Sequence, residues 1–296
     1  MKQLRINKNY LLLKNWWESI DLTNYEKSFF NREIISFNQQ LFRLKEKQIR
    51  IGTYGKSGVG KSSVLNSLLD KDIFKTNIIN GSTKEIQSEV WTLKDQTLNS
   101  IELLDSPGFD FCNIKFPEKI YSRINHSDLI LFVVAGDINR NELNKISSLI
   151  ADGKKIIIIL NKIDLFNKND LKEIKENIKS KLPKDLDIPI ILNNGINLKN
   201  YLTKIINQYG EIFLTLNSLQ LADKLFLQIK EQRLKRRQKL AQSTIGKFST
   251  IKASAVALNP FILFDVAGSF ALDTALISEL SKIYGLKLKG ESTRKI

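Results

Sequence analysis

Nine residues, Gly55-Lys56-Ser57-Gly58-Val59-Gly60-Lys61-Ser62-Ser63, stand between the apolar runs Ile49–Tyr54 and Val64–Leu69. They fit glycine-x4-glycine-lysine-serine through Gly55, Gly60, Lys61 and Ser62. Glycines let the backbone curl so that successive N–H groups face inward. Lys61 can then set its ammonium on terminal phosphates, and Ser62 can ligate magnesium at the start of a helix whose dipole favours anions. Every part addresses a polyphosphate. The candidate cradle is Lys56, Ser57, Gly58, Val59, Gly60, Lys61, Ser62 and Ser63, with Lys61 also the electrostatic group for any reaction there.

The loop alone does not separate ATP from GTP. That decision falls to Asn161-Lys162-Ile163-Asp164, which follows the apolar run Ile156–Leu160 about 100 residues later. Here the sequence resembles the translation-factor-related small GTPases, the Era-like bacterial group, whose guanine motif is asparagine-lysine-x-aspartate. The resemblance implies that the Asp164 carboxylate accepts both the ring N–H and the amino group of guanine. It further implies that Asn161 meets the O6/N7 side of the base, and that the Lys162 stem lies along it. Adenine does not make that paired contact with a carboxylate, and buried polar pairing of this kind can discriminate by roughly 10⁴ or more.

Two further elements carry the resemblance. Asp105-Ser106-Pro107-Gly108, after Ile101–Leu104, matches aspartate-x-x-glycine. It implies that Asp105 holds a magnesium-bound water and that the Gly108 N–H senses the γ-phosphate. Thr83, in Gly81-Ser82-Thr83, stands where the family places its switch threonine. The implied metal set is Ser62, Thr83 and Asp105, and the implied ligands are GTP or GDP with Mg²⁺.

The departures bear on mechanism. Where the family has serine-alanine beside the base, the aligned stretch Ile188-Pro189-Ile190-Ile191-Leu192-Asn193-Asn194-Gly195 has Ile191 and Leu192, which leaves Asn193 or backbone N–H groups to serve. After Gly108 comes Phe109, where Ras-like enzymes carry a water-orienting glutamine. The catalytic residue is therefore unassigned. Relatives with an apolar residue there hydrolyse GTP slowly alone and obtain the missing groups from a partner, a dimer or a cation. Potassium-activated relatives have asparagine at the position of Gly58, so an activating protein or a homodimer ranks above potassium.

These loops need strands to position them. Apolar runs of strand length occur at Ile51–Tyr54, Ile101–Leu104, Leu129–Ala135, Ile156–Leu160 and Ile188–Leu192, separated by helical spacing such as Leu171–Leu182. Near-continuous Ile/Leu/Val runs suit strands covered on both faces of a parallel sheet. The expected fold is α/β, a P-loop NTPase with a doubly wound, mostly parallel sheet, whose ligands lie at the carboxyl ends of the strands.

Three pieces are expected: an N-terminal helical segment 1–47, a G domain 48–210 and a C-terminal helical domain 211–296. Charge divides similarly. Residues 1–50 hold 10 Lys+Arg against 5 Asp+Glu, residues 51–210 hold 22 against 19, and residues 211–296 hold 14 against 7, within a net charge of +15. The basic flanks are thus the places to meet an anionic partner such as lipid or RNA. One cysteine, Cys112, and one histidine, His126, exclude a disulfide framework and a four-cysteine zinc site, and fit a reducing cytosol. The apolar stretch Leu11–Leu13 is too short for a signal-peptide core, and no run of 18 uncharged apolar residues occurs.

In the N-terminal piece, Phe29, Phe30, Ile34, Ile35, Leu41, Phe42 and Leu44 suggest an amphipathic helix over Tyr25–Lys47, preceded by Trp16 and Trp17. It is expected to pack on the C-terminal helices. In the C-terminal piece, a basic cluster, Lys230, Arg233, Lys235, Arg236, Arg237 and Lys239, precedes Ala253–Ile277, which carries only Asp265 and Asp273 as charges and is interrupted by Asn259-Pro260. This part is similar to an uncharacterised helical domain attached to some bacterial G domains, many of them described as membrane-associated. The resulting expectation is a cytoplasmic GTPase switch, peripheral at the inner face of an anionic membrane. An RNA- or ribosome-associated GTPase is the alternative, with RNA the less favoured partner, and a nucleotide-binding scaffold with little hydrolysis is a third.

Overall fold

The alternation of apolar side chains between two faces builds the centre of the fold. The computed structural model describes residues 2–74, 86–92, 98–111, 124–258 and 262–286. Thr83, Cys112, Asn259 and Pro260 lie outside these residues, as does the side chain of Asp265. The chain divides into two units, Met1–Asp223 and Lys224–Ile296.

The first unit opens with helices α1 (Lys2–Ser19), α2 (Asn24–Phe29) and α3 (Asn31–Lys45). Strand β1 (Gln48–Tyr54) and helix α4 (Lys61–Leu69) follow, then β2 (Gln87–Trp91), β3 (Ser100–Asp105) and β4 (Leu129–Val134). Next come α5 (Arg140–Ala151), β5 (Ile156–Leu160), α6 (Lys168–Lys181) and β6 (Ile190–Leu192). Helix α7 (Ile196–Leu258) begins in this unit, passes residues 210 and 211 without a break, and contains the division between the units. Helix α8 (Ile262–Tyr284) belongs to the second unit.

The six-stranded sheet has the order β2-β3-β1-β4-β5-β6. All neighbours are parallel except β2, which pairs antiparallel with β3 at the edge. On β4, Leu129, Leu131 and Val133 join one apolar cluster with Val64, Leu65 and Leu68 of α4 and Leu198, Leu202 and Ile206 of α7. Ile130, Phe132 and Val134 join the opposite cluster with Ile146 and Leu149 of α5 and Ile178 of α6. Side chains of period two thus feed both layers, as a doubly wound sheet requires. The five strands expected from the apolar runs are all present. Strand β2 was not legible, because an edge strand needs one covered face only; Gln87, Ser88 and Val90 are exposed and Trp91 alone is buried.

The N-terminal piece is two helices rather than one over Tyr25–Lys47. A capping box formed by Thr23 and Glu26 starts α2, and the chain leaves helical geometry at Phe30 before α3 begins. That break resets the helical phase. Phe37, Leu41 and Leu44 line the buried face, while Phe29, Ile35 and Phe42 point outward. Trp16 and Trp17 set their rings 6.1 and 5.2 Å from the Phe37 ring, so they pack inside the unit.

At the edge of the sheet where β1 and β4 begin, a buried polar cluster joins α3 to the first part of α7. Asp128 Oδ2 accepts from Arg43 Nη1 at 2.7 Å and from the Arg50 N–H at 2.8 Å. Asp128 Oδ1 accepts from Gln40 Nε2 at 3.2 Å and Asn217 Nδ2 at 2.7 Å. Four donors on one carboxylate satisfy a buried charge that would otherwise be costly.

Within the second unit, Lys252 Nζ donates to both carboxylate oxygens of Asp273, at 3.1 and 3.0 Å. Asp273 therefore has a charge partner on the other helix of the same unit. Lys230, Lys235, Arg236, Arg237 and Lys239 are exposed on α7, and Arg233 is half-buried. Among the described residues, no helix is long and apolar enough to cross a membrane.

Candidate functional site

The carboxyl ends of β1, β3 and β5 lie side by side with β4 between β1 and β5, so the three motif loops meet at one edge of the sheet. From the end of β1 the loop turns through Gly58 at φ 75° and Gly60 at φ 89° into α4. Gly60 is needed on two counts: its positive φ, and a β-carbon there would collide with the amide of Asn161. Val59 is buried beneath the loop, Ser62 is half-buried and Ser63 is exposed.

Lys61 is 7% exposed and folds back over the loop, donating to the carbonyls of Lys56 at 2.7 Å and Gly55 at 3.2 Å. Burial lowers its pKa from 10.5 to about 8, against the pull of Asp105 and then Asp110, which favour the ammonium. A buried cation held by loop carbonyls in this way is poised for an anion. Lys56 points its ammonium towards Glu142 of α5, 3.6 Å away.

At the end of β3, Asp105 is fully buried. Burial raises its pKa, and the hydrogen bond from Ser62, the Lys61 charge, the Thr53 hydroxyl and the Ser106 N–H act in the opposite direction. Ser62 Oγ donates to Asp105 Oδ2 at 2.5 Å, so two of the three expected metal ligands converge. A hydroxyl and a carboxylate are the hard oxygen donors that magnesium takes, so the pair fits that ion. Among the described residues no cluster of three or more His, Cys, Asp or Glu could hold a metal by itself, so further ligands would be phosphate oxygens or water. The third expected ligand, Thr83, is outside the described residues.

Gly108 lies directly on the phosphate loop, where a β-carbon would meet the Ser57 backbone. The Phe109 ring turns away and stacks on Tyr54 at 5.8 Å, with Phe132 at 6.2 Å. The ring is half-buried and packs against a core cluster. The next residue, Asp110, faces the loop instead, its Oδ1 accepting from the Ser57 N–H at 2.7 Å.

On the other side of β1, Asn161 is buried and donates to the Val59 carbonyl at 2.9 Å, tying the base motif to the phosphate loop. Lys162 adopts φ 55°, a left-handed turn that swings the chain into a short helical turn, Ile163–Leu165. Lys162 and Asp164 are both exposed. Asn193, just past β6, donates from Nδ2 to Asn161 Oδ1 at 2.8 Å and accepts the Gly195 N–H at 3.3 Å. Ile191 and Leu192 are strand residues packed on the two core clusters.

Two groups escaped the sequence reading. Thr53 holds Asp105 from below: its Oγ1 lies 3.1 Å from the Leu104 carbonyl and 3.3 Å from Asp105 Oδ1, and it accepts the Ser106 N–H at 3.3 Å. A fully buried threonine near the end of an apolar strand was its signal. Asp110 was the second, signalled only by a carboxylate two residues past Gly108.

Comparison with known proteins matches two separate stretches of the chain. Residues 50–162 match the family described as 50S ribosome-binding GTPase, and residues 220–296 match a domain of unknown function, DUF697. GTPase Der of Buchnera aphidicola is 30% identical over 148 residues, covering 47% of this chain and 32% of its own. The tRNA modification GTPase MnmE of Thermoanaerobacter is 36% identical over 146 residues, covering 45% and 29%. The chain thus spans about a third of the length of these curated relatives. Among solved structures, Aquifex aeolicus Era bound to GDP·AlF4⁻ is 23% identical over 55% of this chain and 56% of its own, with a TM-score of 0.45.

Proposed function

We propose that the chain is a bacterial Era-like small GTPase joining a G domain to a C-terminal helical domain, and that it binds GTP and GDP with Mg²⁺ and hydrolyses GTP as a switch. The observation that carries the reading is the Asn161–Val59 hydrogen bond, which locks a guanine-type motif against a phosphate loop built around a buried lysine.

In this reading guanine pairs with Asp164, and the phosphates take up the loop amides and the Lys61 ammonium. The amino-terminal dipole of α4 adds to the attraction. Ser62 and Asp105 would hold Mg²⁺, which when bound supplies charge neutralisation at the phosphates. Thr53 keeps Asp105 oriented for that role. Phe109, committed to stacking on Tyr54, does not orient water. Turnover by the isolated chain is therefore slow and rises with protein concentration or an activating partner.

Fluorescent GTP and ATP analogues titrated into the full chain test the binding, and phosphate release across a hundredfold range of protein concentration tests the rate. Equal affinity for the two bases would defeat the guanine assignment. Fast, concentration-independent turnover would show that another residue positions water.

The partner is proposed to be an anionic membrane surface, met by the exposed lysines and arginines between Lys230 and Lys239. The ribosome is the second reading, supported by the description of the matched family. Flotation with anionic and neutral liposomes, beside sedimentation with ribosomes, separates them. Protein that stays at the bottom of the lipid gradient at low salt and moves with 50S particles would replace the membrane by the ribosome.

A further inference from the structure

Asp110 places a carboxylate oxygen on an amide of the phosphate loop. The Ser57 N–H donates to Asp110 Oδ1 at 2.7 Å, and the charge of Asp110 is one of the two that favour the Lys61 ammonium. An anion-binding loop thus already has an anion of its own chain beside it. The placement follows from the neighbours: the Phe109 ring is held by Tyr54 and Phe132, and Gly108 lies flat on Ser57, so the short turn Phe109–Phe111 carries Asp110 over the loop.

The sheet order says which phosphate meets this carboxylate. The base motif follows β5, the phosphate loop follows β1, and Gly108 and Asp110 follow β3, on the far side of β1 from β5. A nucleotide with its base at Asp164 runs from β5 towards β3 across the carboxyl edge. Its terminal phosphate is the part nearest Asp110, and a diphosphate stops short of it.

We infer that Asp110 sets the preference between di- and triphosphate: its carboxylate and the γ-phosphate compete for the same corner of the loop, so the chain holds GDP in preference to GTP until Asp110 moves aside. Room for that movement exists. A cavity of about 490 Å³ beside the turn is lined by Asp110 and Phe109 together with Lys56, Asn141, Asn144 and Lys145, whose cations and amides suit a displaced carboxylate. This inference rests on the guanine-nucleotide reading above and adds to it a residue that biases the state of the switch.

The test is the ratio of affinities for GMPPNP and GDP in the full chain and in Asp110→Asn and Asp110→Ala, at constant magnesium and salt. Loss of Asp110 also weakens the electrostatic support of Lys61, which lowers affinity for both nucleotides, more so for the triphosphate, and so works against the expected rise. Asp110 is exposed, and unchanged thermal unfolding checks that the variants fold. Both variants should raise the GMPPNP:GDP affinity ratio at least threefold, chiefly by tighter GMPPNP binding. A smaller rise, or a fall, overturns the inference while leaving guanine binding intact. Failure of the unmodified chain to bind either nucleotide would instead sink the function on which it rests.

Discussion

Asn193 Nδ2 donates to Asn161 Oδ1 at 2.8 Å, and Asn161 passes its own amide hydrogens to the carbonyls of Val59 and Gly60, at 2.9 and 3.4 Å. The loop after β6 therefore supports the base motif through a side chain, in a stretch where Ile191 and Leu192 replace serine-alanine. Asn193→Ala removes one hydrogen bond from a half-buried pair, a change of about 1 kcal/mol. Calorimetric titration should show GDP and GTP binding about fivefold weaker, with guanine still preferred; unchanged binding would mean that Asn161 holds its place without help.

Lys61→Ala removes the buried cation held by the carbonyls of Gly55 and Lys56. Loss of a charge partner of this kind costs on the order of 3 kcal/mol. Fluorescent GDP should then bind more than a hundredfold more weakly, and an affinity within tenfold of the unmodified chain would place the phosphates elsewhere.

The pH dependence follows from the same residue. Lys61 titrates near 8 in the folded chain and near 10.5 in the unfolded one, so burial penalises its charged form. That penalty is full below pH 8 and fades as pH rises from 8 through 10.5. This one group therefore adds up to about 3 kcal/mol of stability across that window. Phosphate binding needs the ammonium and runs the other way: above pH 8, affinity should fall by up to tenfold per unit. Nucleotide titrations at pH 7, 8 and 9 should show this, and Lys61→Gln should flatten the slope.

Asp164→Asn exchanges a carboxylate acceptor for an amide that also donates. GTP affinity should drop at least tenfold and xanthosine triphosphate affinity should rise above it. Competition between the two nucleotides for the variant is the readout; GTP winning as before would remove Asp164 from base recognition.

Asp128 is a different kind of site, far from the motif loops. Asp128→Ala strands Arg43, buried with it at 2.7 Å, and breaking such a pair costs about 3–5 kcal/mol. Thermal unfolding should shift down by several degrees while GDP affinity stays within threefold. A stability loss matched by lost GDP binding would mean that the cluster also shapes the nucleotide loop.

The amino-acid sequence alone determined the sheet and the motif residues, for a physical reason that is local in each case. Strands β4 and β5 are covered on both faces and so are unbroken apolar runs, and β1, β3 and β6 keep short apolar stretches that can be read beside them; the phosphate loop needs glycine, lysine and serine at fixed offsets along one turn. Such demands are written in consecutive residues. What depends on residues distant in the chain was left to the tertiary structure. Strand β2 has only one covered face and reads as a polar stretch. The two-helix form of the N-terminal piece turns on a break at Phe30, which decides that Phe37 and not Phe42 faces inward. Thr53 and Asp110 acquire their roles only because β1 and β3 end side by side, and Asn193, offered by the sequence for the base, reaches Asn161 only because β5 and β6 do. That adjacency brings residues separated by dozens of positions within hydrogen-bonding distance, and no spacing along the chain encodes it.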